Sequence, residues 1–268
     1  MWLNNLFRAY QGLPLHSDNY LDYLERMERD KQSQRYTADK DWLEREFGNL
    51  TCPVHPRTDV PLDKPCIPIG GTMLDDYSAW KEKLHAFGEE KLLPLTALFS
   101  LASALAIMEY NNTSEAALTW AYEGRETEEE PRIVGSLHRD IPFCARKTLI
   151  ENRESAIRYA RKQYRDGIAH STYPLTLTKP YTDIWNYALN VLVRPYADGT
   201  HEEIPLPIKV LPVDENIHPA YALLDVEIHE KMESLHLVYR YSATHYKPES
   251  IQRFAALVRK YVLWLIND

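Results

Sequence analysis

The fold is decided most clearly by one stretch near the end of the chain, ALLDVEIHEKMESLHLVYRY at residues 222–241. Apolar and polar residues alternate in both of its halves, which is the period of two that a half-buried β-strand shows. A turn at residues 230–233 places Ile228 opposite Leu235, and every large apolar residue then lies on the same face. The stretch therefore predicts a β-hairpin with one buried side.

A helix is expected to cover the buried side of this hairpin. Pro248 suits the first turn of a helix, where its missing N–H costs nothing. A stripe of apolar residues at helical spacing follows it: Ile251, Phe254, Leu257, Val258, Tyr261 and Leu265. A strand pair and a helix that share an apolar face are the elements of an α/β or α+β protein.

Helical and strand patterns alternate through the preceding part of the chain. Strands are predicted at residues 116–122, 137–144 and 185–193. Helices are predicted at residues 74–87, 95–110 and 151–165. Gly167 is expected to close the last of these helices.

The first 62 residues differ from the rest in their pattern of apolar residues and in their proline content. Residues 2–48 have helical spacing but few apolar residues for their length, so these helices are expected to pack on another body. Residues 51–71 contain five prolines and the pair Gly70-Gly71, which indicates a linker. We therefore expect two units, 1–62 and 63–268.

Composition excludes several classes of protein. The formal net charge is −8, and no arginine-rich tract offers a track for phosphates, so we expect no nucleic-acid partner. The longest apolar stretch, residues 92–108, is interrupted by Pro94 and Ser100, so we expect no membrane span. The start of the chain lacks the features of a signal peptide, and a cytoplasmic location is the expectation.

Metal and disulfide sites are not indicated by the spacing of their ligands. No C-x-x-C spacing relates the three cysteines, Cys52, Cys66 and Cys144. His229 and His236 flank the predicted hairpin, but the register above places His236 opposite Glu227 rather than opposite His229. We therefore predict no metal site.

Two familiar catalytic patterns are incomplete. The tripeptide His138-Arg139-Asp140 also occurs in protein kinases, but a kinase needs an asparagine where this chain has Ala145, and it needs a Gly-rich loop. We interpret Arg139 and Asp140 as strand residues that form a local ion pair. No Gly-x-Ser-x-Gly occurs, which excludes a hydrolase of that type.

Four motifs occur in a fixed order after residue 115. A strand-like run ends in Gly124-Arg125, Gly135 begins a run that reaches Pro142, and a helix is followed by His170-Ser-Thr-Tyr-Pro174; the hairpin and helix come last. In this order the motifs resemble the C-terminal half of a nonribosomal peptide synthetase condensation domain. The tyrosine-rich residues 19–25 and the tryptophan-bearing residues 40–43 also resemble helices of that family.

The resemblance implies a fold and structural roles. The implied fold is a chloramphenicol-acetyltransferase-like lobe, with a mixed central sheet flanked by helices and an N-terminal helical segment left from a second lobe. The residues implied to be structural are Gly124, Gly135, Pro142, His170 and Pro174. We expect His170 to bond a backbone carbonyl. Arg139 stands where many members of the family have asparagine.

The resemblance also implies a function. Condensation domains join two carrier-bound thioesters through an amide bond, using a His-His-x-x-x-Asp-Gly motif in the N-terminal half. No two histidines are adjacent in this chain, so the catalytic histidine is expected before Met1. Candidates for the wall of the substrate tunnel are Asn190, Asn186 and Arg125. No cofactor is expected on the chain itself, because phosphopantetheine is carried by the partner domains.

The implied partners are peptidyl carrier protein domains, the missing N-terminal lobe and a neighbouring adenylation domain. A lone lobe would expose an apolar face, so a homodimer is also expected. Two alternatives stay open at this point. One is a carrier-binding module without chemistry, and the other is a stand-alone acyltransferase that uses His138 or His170.

Overall fold

The computed structural model describes residues 8–13, 20–62, 70–125, 133, 135–178, 188–195 and 223–267. The α-helices named below are α1 (Tyr20–Asp30), α2 (Gln34–Phe47), α3 (Lys81–Lys91), α4 (Leu95–Asn111), α5 (Arg153–Ala169) and α6 (Pro248–Ile266). The strands are β1 (Gly70–Asp76), β2 (Glu115–Tyr122), β3 (Arg139–Arg146), β4 (Asn190–Pro195), β5 (Leu224–Glu230) and β6 (Leu235–Ser242).

The six strands form one sheet in the order β1-β6-β5-β4-β2-β3. Strand β4 is parallel to both of its neighbours, β2 and β5, and the other pairs are antiparallel. The protein is therefore a mixed α/β structure with a central sheet flanked by helices, which confirms the predicted fold class.

Helix α4 is the centre of the main core. Its residues are buried on every side from Thr96 to Met108, as expected for a helix that is apolar all round. It packs between the sheet and α6, whose apolar stripe was predicted from its spacing. No single helix of the described residues is long and apolar enough to cross a membrane; α4 meets the length and composition criteria only when joined to Ser78–Lys91 across a 100° bend.

The opposite face of the sheet carries a second, smaller core. Trp42, Leu43 and Phe47 of α2 pack here against Ala117 of β2 and Cys144 of β3. These two strand residues pair with each other, so they point to the same face of the sheet. Helix α2 thus covers the β2–β3 end of this face.

The hairpin forms where the alternation predicts it, but the predicted register is wrong by two residues. Ile228 pairs with Leu237 rather than with Leu235, and His229 pairs with His236. The turn has the predicted length but lies one residue later, with Lys231 and Ser234 bonded to each other. Side chains repeat every two residues along a strand, so a slip of two leaves the same residues buried, and only the position of the turn separates the two registers.

The helix predicted at residues 74–87 is also wrong in its first half. Residues 70–76 form strand β1, which pairs with β6 along its whole length. The Asp76 carboxylate accepts hydrogen bonds from the backbone N–H and the hydroxyl of Ser78, and a one-turn helix then leads into α3. A short apolar pattern such as this one fits both a helix, with 3.6 residues per turn, and a strand, in which every second side chain shares a face. Pairing with β6 decides the structure in favour of the strand.

Two further boundaries differ from the predictions. Gly167 does not close α5 but lies inside its last turn, where a Cβ would come within 2.5 Å of the Ile141 side chain. The helix needs a glycine there for close packing on β3. The strand predicted at residues 185–193 begins at Asn190, and residues 179–187 lie outside the described residues.

The segment that follows α2 runs along the sheet. The carbonyl of Pro53 accepts a hydrogen bond from the N–H of Ala117 at 3.0 Å, and the carbonyl of Val54 accepts one from Leu189 at 2.8 Å. Further along, the N–H of Asp59 donates to a carbonyl in the loop after β6. The segment is thus bonded to the sheet near its start and to the loop after β6 further along.

Candidate functional site

A row of polar side chains crosses the face of the sheet that α2 covers only in part. In register across β6, β5, β4, β2 and β3 stand Arg240, Asp225, Asn190, Thr119 and Pro142. Residues paired across a ladder point to the same side of the sheet. We call the first four the polar row. It places hydrogen-bonding groups on the face opposite the apolar core.

Asn190 lies in the middle of the polar row. Its side-chain oxygen accepts a hydrogen bond from the Thr119 hydroxyl at 3.3 Å, and the side chain is half-buried. A neutral amide in this position can hydrogen-bond a peptide-like substrate without the desolvation that a charge would impose. Asn186, the second predicted amide, lies outside the described residues.

Arg125 lies at the end of β2, after Gly124, whose φ is +66°. Its guanidinium donates to the carbonyl of Ile133 and to the carbonyl of Gly135, both at 3.1 Å. Gly135 in turn leaves no room for a side chain, because a Cβ would come within 2.4 Å of the Tyr20 ring of α1. Two of the predicted motifs, Gly124-Arg125 and Gly135, are thus parts of a single turn structure on which α1 rests.

A third small core joins α1 to this turn. Tyr23 of α1 is buried against Ile133 and Leu137, and Tyr20 and Met27 pack beside it. The outer face of α1 carries two exposed leucines, Leu21 and Leu24.

His170 follows α5 and is bonded to α2. Its Nδ1 donates to Oδ1 of Asp39 at 2.9 Å, and its ring stacks on Trp42 with 4.7 Å between ring centroids. The other oxygen of Asp39 accepts the backbone N–H of Thr172 at 3.1 Å. The partner of His170 is therefore a buried carboxylate and not the backbone carbonyl that we expected from the sequence.

Two other predicted positions support the same loop. Arg139, in the kinase-like tripeptide, donates to the hydroxyl of Ser171 at 2.9 Å, while Asp140 is 2.9 Å from His138. The expected ion pair between Arg139 and Asp140 is replaced by these two contacts. Pro174 precedes the one-turn helix Leu175–Leu177. Pro142 is a buried residue of β3, which is an edge strand, so its missing N–H breaks no ladder there.

A pocket of about 470 Å³ opens beside this loop, between the end of α2 and the one-turn helix. Its lining is mixed: Leu43, Phe47, Tyr173 and Leu175 are apolar or aromatic, and Lys40 and Glu44 are charged. Lys40 and Glu44 are one turn apart on α2, and 3.8 Å separates Nζ of Lys40 from Oε1 of Glu44.

A buried charged cluster on the polar face was missed by the sequence reasoning. Glu227 of β5 is only 4% exposed, and its Oε2 lies 2.7 Å from Nε2 of His229 and 3.0 Å from Nε of Arg240. The alternation correctly placed Glu227 and His229 opposite the core, but a polar position in a hairpin is ordinarily solvated. The alternation of apolar and polar residues is the same whether the polar face of a strand is exposed to solvent or covered by other residues. No cluster of three or more His, Cys, Asp or Glu side chains that could hold a metal ion occurs within the described ranges.

The fold and the order of these motifs agree with one family. The condensation domain model matches residues 2–268, so the chain belongs to the condensation domain family. A search of curated proteins found no match.

Solved structures with the same fold are longer than this chain. The epimerization domain from the third module of tyrocidine synthetase B has a TM-score of 0.72 at 16% identity, over 97% of this chain and 62% of that one. The cyclization–docking bidomain of the nonribosomal peptide synthetase EpoB from Sorangium cellulosum has a TM-score of 0.75 at 14% identity, over 96% and 53%. A starter condensation domain of rhizomide synthetase, solved with C8-CoA and Leu-SNAC, has a TM-score of 0.69 at 14% identity, over 97% and 59%. The chain spans less than two thirds of each.

Proposed function

We propose that this chain is the C-terminal part of a nonribosomal peptide synthetase condensation domain and contributes to amide bond formation between carrier-bound thioesters. Residues 63–268 would be its C-terminal lobe, and residues 1–62 the last helices of the N-terminal lobe with a linker. The catalytic histidine would then belong to a segment that precedes Met1, and the chain alone would not catalyse the reaction.

One observation carries this proposal. The family model matches the chain over residues 2–268, yet no two histidines are adjacent anywhere in the sequence. A complete condensation domain needs the His-His-x-x-x-Asp-Gly motif. The shares of 53–62% by which the chain covers the three longer structures fit a missing part that contains it.

The chemistry is transfer of an acyl group from sulfur to nitrogen. The amine of the acceptor attacks the carbonyl of the donor thioester, the new C–N bond forms, and the C–S bond breaks. The amine loses a proton and the departing pantetheine thiolate gains one. The second histidine of the missing motif would accept that proton or hold the amine in line.

This chain would supply one wall of the tunnel in which the two substrates meet. The polar row suits that task, because an amide such as Asn190 can bond the amides of a pantetheine arm or of a peptide. Asn186 is proposed for the same wall. Arg125 donates to two backbone carbonyls, so its contribution would be to hold the turn rather than to bind substrate.

The proposed partners follow from this reaction. Peptidyl carrier protein domains would bring both substrates on phosphopantetheine arms, and an adenylation domain would load the acceptor, all in the cytoplasm. The missing lobe would pack on this chain, and the exposed Leu21 and Leu24 are candidates for its contact surface. Without that lobe, the chain is expected to self-associate at high concentration.

The test is a condensation assay with two loaded carrier proteins. The chain alone should give no peptide, and the chain joined to its missing N-terminal segment should give the peptide that matches the two carriers. A complete domain in which the second histidine of the motif is replaced by alanine is the matched control. Absence of product from the complete domain would refute the catalytic proposal.

The same assay separates the two alternatives. A carrier-binding module would retain a loaded carrier in a titration but form no peptide when completed. A stand-alone acyltransferase would turn over without the N-terminal segment, and turnover would be lost in the His170→Ala or the His138→Ala variant.

A further inference from the structure

Leu92, the residue that ends α3, has a backbone conformation that leucine rarely adopts. Its φ is +50°, in the left-handed region, and its side chain is 69% exposed. The N–H of Leu92 donates to the carbonyl of Glu89 at 3.3 Å. The N–H of Leu93 donates to the carbonyl of Gly88 at 2.9 Å, which completes a Schellman helix end. Glycine or asparagine is usual at this position, because a Cβ makes the left-handed backbone unfavourable.

The same helix end occurs at α4 with a more suitable residue. Asn112 follows α4 with a φ of +55°, and its N–H donates to the carbonyl of Glu109 at 3.2 Å. Asparagine tolerates this conformation better than most side chains. Among the described residues other than glycine, Leu92 and Asn112 alone have a positive φ. The geometry of the turn therefore gives no reason for a leucine at residue 92.

An apolar pocket of about 370 Å³ lies beside Leu92, between the end of α3 and the start of α4. Leu84 and Leu93 line it and are fully buried, and Pro94 and Leu95 complete its apolar lining. Leu92 also lines the pocket, so the exposed leucine and the pocket form one apolar surface. Such a surface loses free energy when it faces water and gains it when a partner covers it.

The exposed face of α5 carries a stripe of cations. Its four members are exposed and follow one another at helical spacing, which places them on one face of the helix. They are Arg158, Arg161, Lys162 and Arg165. Glu154 and Asp166 pair with members of the stripe, but four cations against two acids leave this face positive. The chain as a whole has a net charge of −8, so the stripe is a local exception.

The cationic stripe and the apolar surface are neighbours. Nη1 of Arg161 donates to the carbonyl of Lys91 at 3.3 Å, and Lys91 is the residue directly before Leu92. Helix α5 packs through Ala156 and Ala160 on the main core. The polar row lies on the opposite face of the sheet. A partner bound to α5 and Leu92 would therefore leave the polar row free.

We propose that Leu92, its pocket and the cationic stripe of α5 form a docking surface for an acidic amphipathic helix of a partner protein. Apolar side chains of that helix enter the pocket and pack on Leu92, and its carboxylates face the stripe. The pocket by itself would accept any apolar segment, and the positive charge beside it selects an acidic one. A nucleic acid offers no apolar side chain for the pocket. The docking surface does not depend on the proposed condensation reaction.

Fluorescence anisotropy with a designed peptide tests the docking surface on the full chain. The probe is a labelled helical peptide of about 15 residues, with leucines on one face and glutamates beside them. We expect saturable binding that weakens with salt, because the Debye length falls from about 10 Å at 0.1 M to about 3 Å at 1 M. Two control peptides, with lysine for each glutamate or alanine for each leucine, should bind at least about tenfold more weakly.

A matched pair of variants separates docking from folding. Leu92→Gly should raise the dissociation constant of the glutamate peptide at least about tenfold, while the melting temperature stays near or above that of the wild type, since glycine relieves the left-handed backbone. Asn112→Gly makes the same backbone change at the other helix end and should leave the dissociation constant within about twofold. The double variant Arg158→Gln/Arg165→Gln should weaken binding and reduce its dependence on salt.

Several results would overturn the proposal. These are no saturable binding of the glutamate peptide, equal binding of the lysine peptide, or an affinity that Leu92→Gly leaves unchanged. Tighter binding of a single-stranded oligonucleotide than of the glutamate peptide would instead assign the stripe to nucleic acid. Sedimentation of the wild type and of Leu92→Gly checks the remaining occupant. If the leucine is required for self-association, the surface is a contact between copies of this chain and the proposal is wrong.

Discussion

The carboxylate of Asp39, in the middle of α2, lies 2.9 Å from Nδ1 of His170, which follows α5. The same carboxylate accepts the N–H of Thr172, and Asp39 is 2% exposed. One buried acid thus joins the N-terminal helices to the loop that carries the His-x-x-x-Pro motif. Hydrogen bonds to Asp39 thus hold the loop with this motif against α2.

Replacement of Asp39 should therefore destabilise the folded protein. We expect Asp39→Ala to lower the free energy of unfolding by about 3 kcal/mol, because His170 and the Thr172 N–H both lose a buried partner. Urea unfolding followed by circular dichroism measures the change. The matched control is Asp41→Ala, at an exposed position of the same helix, which should change stability by less than about 0.5 kcal/mol. Equal losses of stability in the two variants would contradict the role of Asp39 in holding this loop against α2.

Gly135 should be intolerant of a side chain because of Tyr20. A Cβ would come within 2.4 Å of the tyrosine ring, so Gly135→Ala should displace α1 and cost roughly 1–3 kcal/mol. The double variant with Tyr20→Ala removes the clash, and the Gly135→Ala cost should fall by at least about 0.5 kcal/mol in that background. Thermal unfolding of the four chains measures the coupling. Additive effects would show that α1 does not rest on this turn.

His55 predicts how stability depends on pH. Burial lowers the pKa of His55, and the neighbouring His245 adds to the effect. The unfolded chain then binds more protons than the folded one below about pH 6.5, so stability is fully present above that pH and declines as the pH falls through it. The decline due to this group is at most about 1.4 kcal/mol per pH unit. The free energy of unfolding, measured from about pH 7.5 to 5.5, should fall more steeply with decreasing pH for the wild type than for His55→Gln. Identical pH dependences of the two proteins would contradict the assignment.

The charged cluster on the polar face should depend on Glu227. We expect Glu227→Gln to cost about 3 kcal/mol, because His229 and Arg240 lose the charge of a buried carboxylate. Glu233→Gln, at the exposed hairpin turn, is the matched control and should be nearly neutral. A loss of stability at Glu227 no larger than that at Glu233 would contradict the dependence of the cluster on this carboxylate.

Asn190 can be tested for a role in substrate binding once the complete domain is in hand. Asn190→Ala should lower kcat/KM about tenfold, the equivalent of one lost hydrogen bond of about 1.4 kcal/mol. Thr119→Val removes the sheet partner of the amide and should leave kcat/KM within about twofold. If both variants lower activity equally, the amide serves only the sheet.

The sequence predicted periodicity better than it predicted pairing. Alternation located β5 and β6, and the apolar stripe located α6, because these patterns depend on which face of each element is buried. The register of the hairpin and strand β1 were missed, since the first depends on where the turn is placed and the second on a partner strand distant in the chain. The contact of Asp39 with His170 and the covered Glu227 were missed for the same reason: local patterns contain no information about which distant residue approaches.

The most direct test of the account is the coding sequence upstream of the Met1 codon. If the proposed function is right, an open frame of roughly 130 residues or more, a typical domain size, encodes His-His-x-x-x-Asp-Gly shortly before Met1. The catalytic histidine would then belong to the same polypeptide as the polar row. An in-frame stop codon with a ribosome-binding site directly before Met1 would contradict the account, because the chain would then be made without its catalytic half.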